Sequence, residues 1–166
     1  MVEYQATYQE RNWAAVAHAS TLITVIVGLA TFGLGSILLA LIPLGIYLAF
    51  RDKSRYVAFH ALQAVVMQLG GLAVYALGLV VLIIVTVIAW VVIGILSVIL
   101  VGVLLVPVAL LITLLFVAFL LLFPLAQAGY SLYAAVETGR GVNFYYPWIG
   151  DWLEETETSW HPGAAG

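Results

Sequence analysis

The feature that most restricts this chain is a run of 81 residues, Tyr56–Val136, without one Asp, Glu, Lys or Arg. A second run, Asn12–Phe50, continues for 39 residues in the same way. All thirteen charged residues lie outside these runs. They form an amino-terminal group (Glu3, Glu10, Arg11), a tight cluster (Arg51, Asp52, Lys53, Arg55) and a carboxyl-terminal group (Glu137, Arg140, Asp151, Glu154, Glu155, Glu157). Charge makes up 8% of the chain, against about 25% in an ordinary soluble domain, too little to cover a surface in water. The chain reads as an all-α integral membrane protein.

A membrane-crossing helix needs ~20 apolar residues at a rise of ~1.5 Å each. The shorter run therefore accommodates two spans, about 12–32 and 36–50, if it turns tightly at Thr31-Phe32-Gly33-Leu34-Gly35-Ser36, where two glycines permit positive φ. Its second arm is short and contains Pro43, so a re-entrant hairpin is the competing reading. The longer run shows one cluster of helix breakers, from Gly94 through Ser97 and Gly102 to Pro107. It divides into two spans, about 56–93 and 98–137, each longer than a bilayer demands. Four spans collect Arg11, Arg51, Lys53, Arg55 and Arg140 on one side, which the positive-inside bias makes cytoplasmic. The expected organisation is a cytoplasmic segment 1–11, a four-helix transmembrane domain 12–137 and an aromatic, acidic cytoplasmic tail 138–166. The membrane is the cell's inner (plasma) membrane. No cleavable signal peptide is expected, because the first eleven residues are polar and the apolar run after them is too long.

Two histidines interrupt the apolar runs. His18 lies six positions after Asn12 and His60 five after Arg55, so both sit ~8–9 Å inside their spans from the same face. Polar groups in lipid need partners. The plain reading pairs the imidazoles with each other, Gln63, Ser20 or a carbonyl. A proton path, or haem or pigment ligation by His18 and His60 together, are the alternatives. No carboxylate or thiolate accompanies them, so no metal site is expected.

On the first span Ala17, Thr21, Thr24, Gly28, Thr31 and Gly35 share one helix face; on the third, His60, Gln63, Met67, Gly71, Tyr75 and Gly78 do. Small and hydroxyl residues let helices approach and bond. Direct packing of span one on span three through Thr21, Thr24, Gly28, Gln63, Gly71 and Gly78 is expected, with a polar pore wall as the alternative. In the tail, Tyr145, Tyr146, Trp148 and Trp152 suit the headgroup region and form an expected interfacial anchor, or else a docking surface. Thr156–Gly166 reads as a loose tail, with His161 in it.

Several functions are excluded. Five scattered basic residues at net charge −3 make no nucleic-acid footprint. The absence of cysteine removes disulfides and thiolate clusters. There is no phosphate loop, His-Glu-x-x-His, paired intramembrane Asp or Gly-x-Ser-x-Gly, so no catalytic residue and no enzyme is expected.

Three segments carry a family resemblance. They are Glu10-Arg11-Asn12-Trp13 with Ala17-His18-Ala19-Ser20; Ile42-Pro43-Leu44 leading through Arg51-Asp52-Lys53-Ser54 to Val57-Ala58-Phe59-His60-Ala61-Leu62-Gln63-Ala64; and Ala134-Ala135-Val136, Gly139-Arg140-Gly141 and Tyr145-Tyr146-Pro147. Over about residues 10–153 the chain resembles a family of small bacterial four-helix membrane proteins of unknown function. That family is similar to the Tic component, of about twenty kilodaltons, of the chloroplast inner-envelope translocon. The resemblance implies four helices, cytoplasmic termini and no known enzyme activity. The expected function is that of an accessory or scaffold subunit, needing no cofactor, that acts through helix–helix contacts. Its expected partners are the lipid bilayer and either proteins of a membrane complex or further copies of itself. A Tic-like translocation component is the alternative.

Overall fold

The computed structural model describes residues 5–31 and 34–160. Glu3, the turn centre Phe32-Gly33 and the end of the tail, with His161, lie outside the described residues. The helices are α1 (Tyr8–Ala30), α2 (Leu34–Leu39), α3 (Ile42–Phe50), α4 (Arg55–Ser97), α5 (Val101–Gly139) and α6 (Ile149–Trp160). The chain is an all-α membrane protein whose α1, α4 and α5 are long and apolar enough to cross a bilayer. It divides into two compact units, one made of residues up to Gly70 and from Gln127 onward, the other of Gly71–Ala126.

The first unit begins with a capping box. Thr7 Oγ1 accepts the Glu10 N–H at 3.3 Å while the Glu10 carboxylate accepts the Thr7 N–H at 2.8 Å, satisfying two donors that a helix start leaves open. The arm expected as a single span over 36–50 is instead two helices of six and nine residues. Pro43 explains the break: in a continuous helix its ring would strike the carbonyl of Leu39, which is where α2 ends. Neither piece can cross alone. Together, however, they return the chain to the level at which α1 began. Trp13 packs against Phe50 with ring centroids 5.3 Å apart, and Ser54 Oγ donates to Glu10 at 2.6 Å. The end of α5 arrives at the same level, where Tyr56 Oη donates to the Thr138 carbonyl at 3.4 Å and Gly141 lies against the Arg11 side chain. Glu10, Arg11, Arg55, Glu137 and Arg140 thus gather at one end of this unit.

Its core is built of small residues. Ala17, Ala61 and Ala64 are fully buried beside Val57 and Ile46, which lets α1, α3 and α4 approach closely. Gly28 faces α2, where a Cβ would run into Ser36 Oγ.

The second unit is a helical hairpin made of the later part of α4 and the earlier part of α5. Its turn, Val98–Leu100, is wholly apolar and closes on itself. The N–H groups of Val98, Ile99 and Leu100 donate to the carbonyls of Ile95, Leu96 and Ser97 at 3.0–3.3 Å. Leu100 takes a left-handed φ of 66°. Gly102 follows because a Cβ there would collide with the Ile93 carbonyl and the Ser97 backbone. Gly78 meets Phe119, across the hairpin. Gly28 thus admits a neighbour on α2 and Gly78 one on α5.

Candidate functional site

The two histidines at the centre of the first unit are placed by helix spacing. His18 stands ten residues into α1 and His60 five into α4, on the faces that the small residues bring together. Both are completely buried. Their rings meet edge to face, with His18 Nε2 and His60 Nδ1 3.2 Å apart. At that separation one N–H lies between the two nitrogens.

The rest of the site comes from the chain after α5. Residues 142–146 run without helix back into the unit, and Tyr146, 1% exposed, inserts between the helices. Its hydroxyl donates to Ser131 Oγ at 3.2 Å and lies 3.2 Å from His18 Nδ1. With that hydroxyl hydrogen on Ser131, the network makes His18 the donor to Tyr146 Oη and His60 the donor to His18, an assignment that leaves His60 Nε2 as a bare lone pair. Burial pushes the Tyr146 phenol above the usual tyrosine range, with its hydrogen bond to Ser131 opposing the shift and neighbouring Tyr130 adding to it.

Gln63 fixes the returning segment. Its Oε1 accepts the Tyr146 N–H at 2.9 Å and its Nε2 donates to the Phe144 carbonyl at 3.3 Å, so one amide serves both backbone groups of an extended stretch. Phe144 packs edge-on against His18, Tyr130, Tyr133 and Tyr146. Tyr56 covers His60, with ring centroids 4.5 Å apart.

A second polar layer joins α1 to α4. Gln68 Nε2 donates to Ser20 Oγ at 2.8 Å, and Thr24 Oγ1 donates to Gln68 Oε1 at 3.1 Å. Thr24 on α1 thus bonds directly to Gln68 on α4. Thr21 is buried on the same face, but among the described residues its hydroxyl has no hydrogen-bond partner, nor have the buried His60 Nε2 and Thr138 Oγ1. Gly71 and Gly78 belong to the hairpin unit.

Tyr146 departs from the expected interfacial role, because its ring is a core element. Tyr145, Trp148 and Trp152 remain outward, with Trp148 the most exposed of the three. Ser131 and Gln68 take part without having been singled out from the sequence. Gln68 had a readable signal, the i, i+4, i+8 series His60–Ala64–Gln68, all buried. Ser131 had none, since it is recruited by a tyrosine 15 residues away.

The arrangement has chemical consequences. Among the described residues no group of three His, Asp or Glu side chains could hold a metal. Two imidazoles that share one iron or haem must both aim lone pairs at it, with nitrogens ~4 Å apart and an ion between them. Here the facing nitrogens share a proton at 3.2 Å. These hydrogen bonds tie α1, α4, α5 and the returning segment together.

Residues 9–153 match the MamF/MmsF family, described as the magnetosome magnetite crystal formation protein family. The chain belongs to this family. The match takes in the histidine pair, Gln63 and Gln68, the hairpin unit and the returning segment, and ends at Leu153, a buried residue of α6. A small bacterial membrane-protein family, as the resemblance implied, is thereby given a magnetosome association. No curated protein and no solved structure matches.

Proposed function

We propose that this chain is a non-enzymatic subunit of a magnetosome-membrane assembly that takes part in magnetite crystal formation, acting through helix–helix contacts. The family match over residues 9–153 carries the reading. Two features of the chain support it. The polar side chains of the histidine core are bonded mainly to one another, as befits a scaffold. The hairpin unit, meanwhile, turns large apolar residues such as Leu77, Val80, Ile84, Leu111 and Leu115 outward, where lipid or other helices can cover them.

Both termini are cytoplasmic in this reading, because the basic residues gather at one end of the first unit. A translocation role like that of the Tic component is the alternative. Against it, the interior offers no charged side chain along α1, α4 or α5 between Asn12 and Val136 apart from the Arg51–Arg55 turn and helix start.

The test is removal of the gene from a magnetite-forming bacterium, followed by electron microscopy of crystal number and size. Complementation with a fluorescent fusion reports localisation. Unchanged crystals, or a fusion spread evenly over the cell membrane, would refute the proposal. Cysteine scanning tests the topology, since the chain has no cysteine of its own. Probes at Asp52 and Asp151 should both be blocked from the outside of intact cells.

A further inference from the structure

Trp148 is the largest side chain held in a left-handed backbone among the described residues, at φ 66°, and it is 85% exposed. A left-handed bulky residue is strained, and such strain persists only where the surroundings over-determine it. They do so here. On one side Tyr146 is locked by Gln63, Ser131 and His18. On the other, Leu153 is buried. Between them the Ile149 N–H donates to the Pro147 carbonyl, the Gly150 N–H to Tyr146 and the Trp152 N–H to Trp148, at 2.9–3.0 Å. Gly150 is needed because a Cβ there would meet the Tyr145 ring at 2.6 Å, and Tyr145 Oη is itself held by Asn143 at 2.8 Å. Trp152, one helical turn after Trp148 and on the same side, is 56% exposed. Two indoles are thus presented outward from a rigid mount.

We infer that Trp148 and Trp152 form a fixed anchor in the headgroup and glycerol layer of an electrically neutral lipid surface. Depth supports lipid as the occupant. The Tyr146 hydroxyl reaches His18, ten residues and ~15 Å along α1, well inside its apolar run. Trp148 is two residues from Tyr146, at most ~7 Å of chain. Tyr145, in the same stretch, packs on Phe59, only four residues after the start of α4, which sets this segment near the start of the apolar surface, the level at which Trp and Tyr collect in membrane proteins. The exposed faces of Trp13 and Val16 on α1 continue that surface. Asp151 and Glu155, exposed on the same helix, point to a neutral headgroup layer in preference to an anionic one.

The experiment uses the full chain in phosphatidylcholine vesicles, with brominated phosphatidylcholines as fluorescence quenchers. With Trp13, Trp90, Trp152 and Trp160 replaced by Phe, the emission of Trp148 should fall at least twofold with bromine near the ester end of the acyl chain, and less with bromine near the bilayer centre. As a second measurement, Trp148→Phe in the otherwise native chain should remove a shallow-quenched component. No quenching by either lipid, or quenching that appears only when a second copy is diluted away, would overturn the inference in favour of water or a protein contact. Trp148→Gly separates anchoring from folding. Glycine adopts the φ freely, so in detergent the unfolding temperature should stay level or rise, whereas a ring needed for packing would make it fall.

Discussion

Gln63→Leu is the sharpest perturbation of the site. Leucine has nearly the volume of glutamine and suits the helix, so packing and propensity change little. What disappears is the clamp on the returning segment: the 2.9 Å bond from the Tyr146 N–H and the 3.3 Å bond to the Phe144 carbonyl. A buried polar group left unpaired costs ~1–3 kcal/mol. Two such groups, one of them in the longer and weaker bond, make the expected loss about 2–4 kcal/mol, a large fraction of a typical folding free energy of ~5–15 kcal/mol. Far-UV circular dichroism will understate this loss, because micelles keep apolar helices helical after tertiary contacts break. The better assay introduces one cysteine at exposed Val142 and follows its alkylation during a titration with denaturing detergent. The variant should release the segment at a lower detergent fraction and react faster even before the transition. A midpoint within about 0.5 kcal/mol of the parent, the range of a neutral surface change, with unchanged alkylation, would refute the clamp.

The raised phenol of Tyr146 sets an alkaline limit. Below the ordinary tyrosine value of 10.0 both folded and unfolded states keep the proton. Above it only the folded state does, so stability falls by ~1.4 kcal/mol per pH unit until the folded phenol ionises, and Tyr146→Phe should flatten that slope in thermal melts. His18→Gln should lower the melting temperature, and combining it with His60→Gln should cost less than the sum of the two, a coupling of ~0.5–3 kcal/mol in a double-mutant cycle; strict additivity would contradict the 3.2 Å contact. In the hairpin, Gly78→Leu should destabilise by ~1–3 kcal/mol because even its Cβ would approach Phe119 to 3.0 Å. Gly94→Ala meets nothing within 4 Å and should stabilise by ~0.5–1 kcal/mol, and the reverse order in detergent unfolding would remove the packing argument.

Much of the fold was legible because lipid imposes a coarse rule: uncharged runs become helices. The boundaries near Arg55 and Gly139 follow from where charge resumes, and the turn after Ser97 falls in the only breaker cluster of the long run. The pairing of His18 with His60 was legible for a related reason, since equal depth on two spans leaves polar groups few other partners. The break at Pro43 was half legible. Proline signals a discontinuity, but whether α2 and α3 still carry the chain back beside Trp13 depends on contacts that spacing does not encode. The role of Tyr146 was misjudged because a run of aromatics next to a span end satisfies the interfacial pattern equally well. Its burial is decided by Gln63 and Ser131, each distant from it in the chain, so no local window contains the reason.

The charge-free hairpin has an electrical consequence. A membrane potential does ~2.3 kcal/mol of work on each elementary charge carried through 100 mV. Between Gly71 and Ala126 there is no charged side chain for it to act on. The helix dipoles, each equivalent to about half a charge at either end, run in opposite directions along the two arms and cancel. Rearranging this unit in an energised membrane would therefore pass no gating current, and depolarisation would not bias it. Any voltage sensitivity would have to enter through charges outside this unit, such as Glu10, Arg11, Arg55, Glu137 and Arg140.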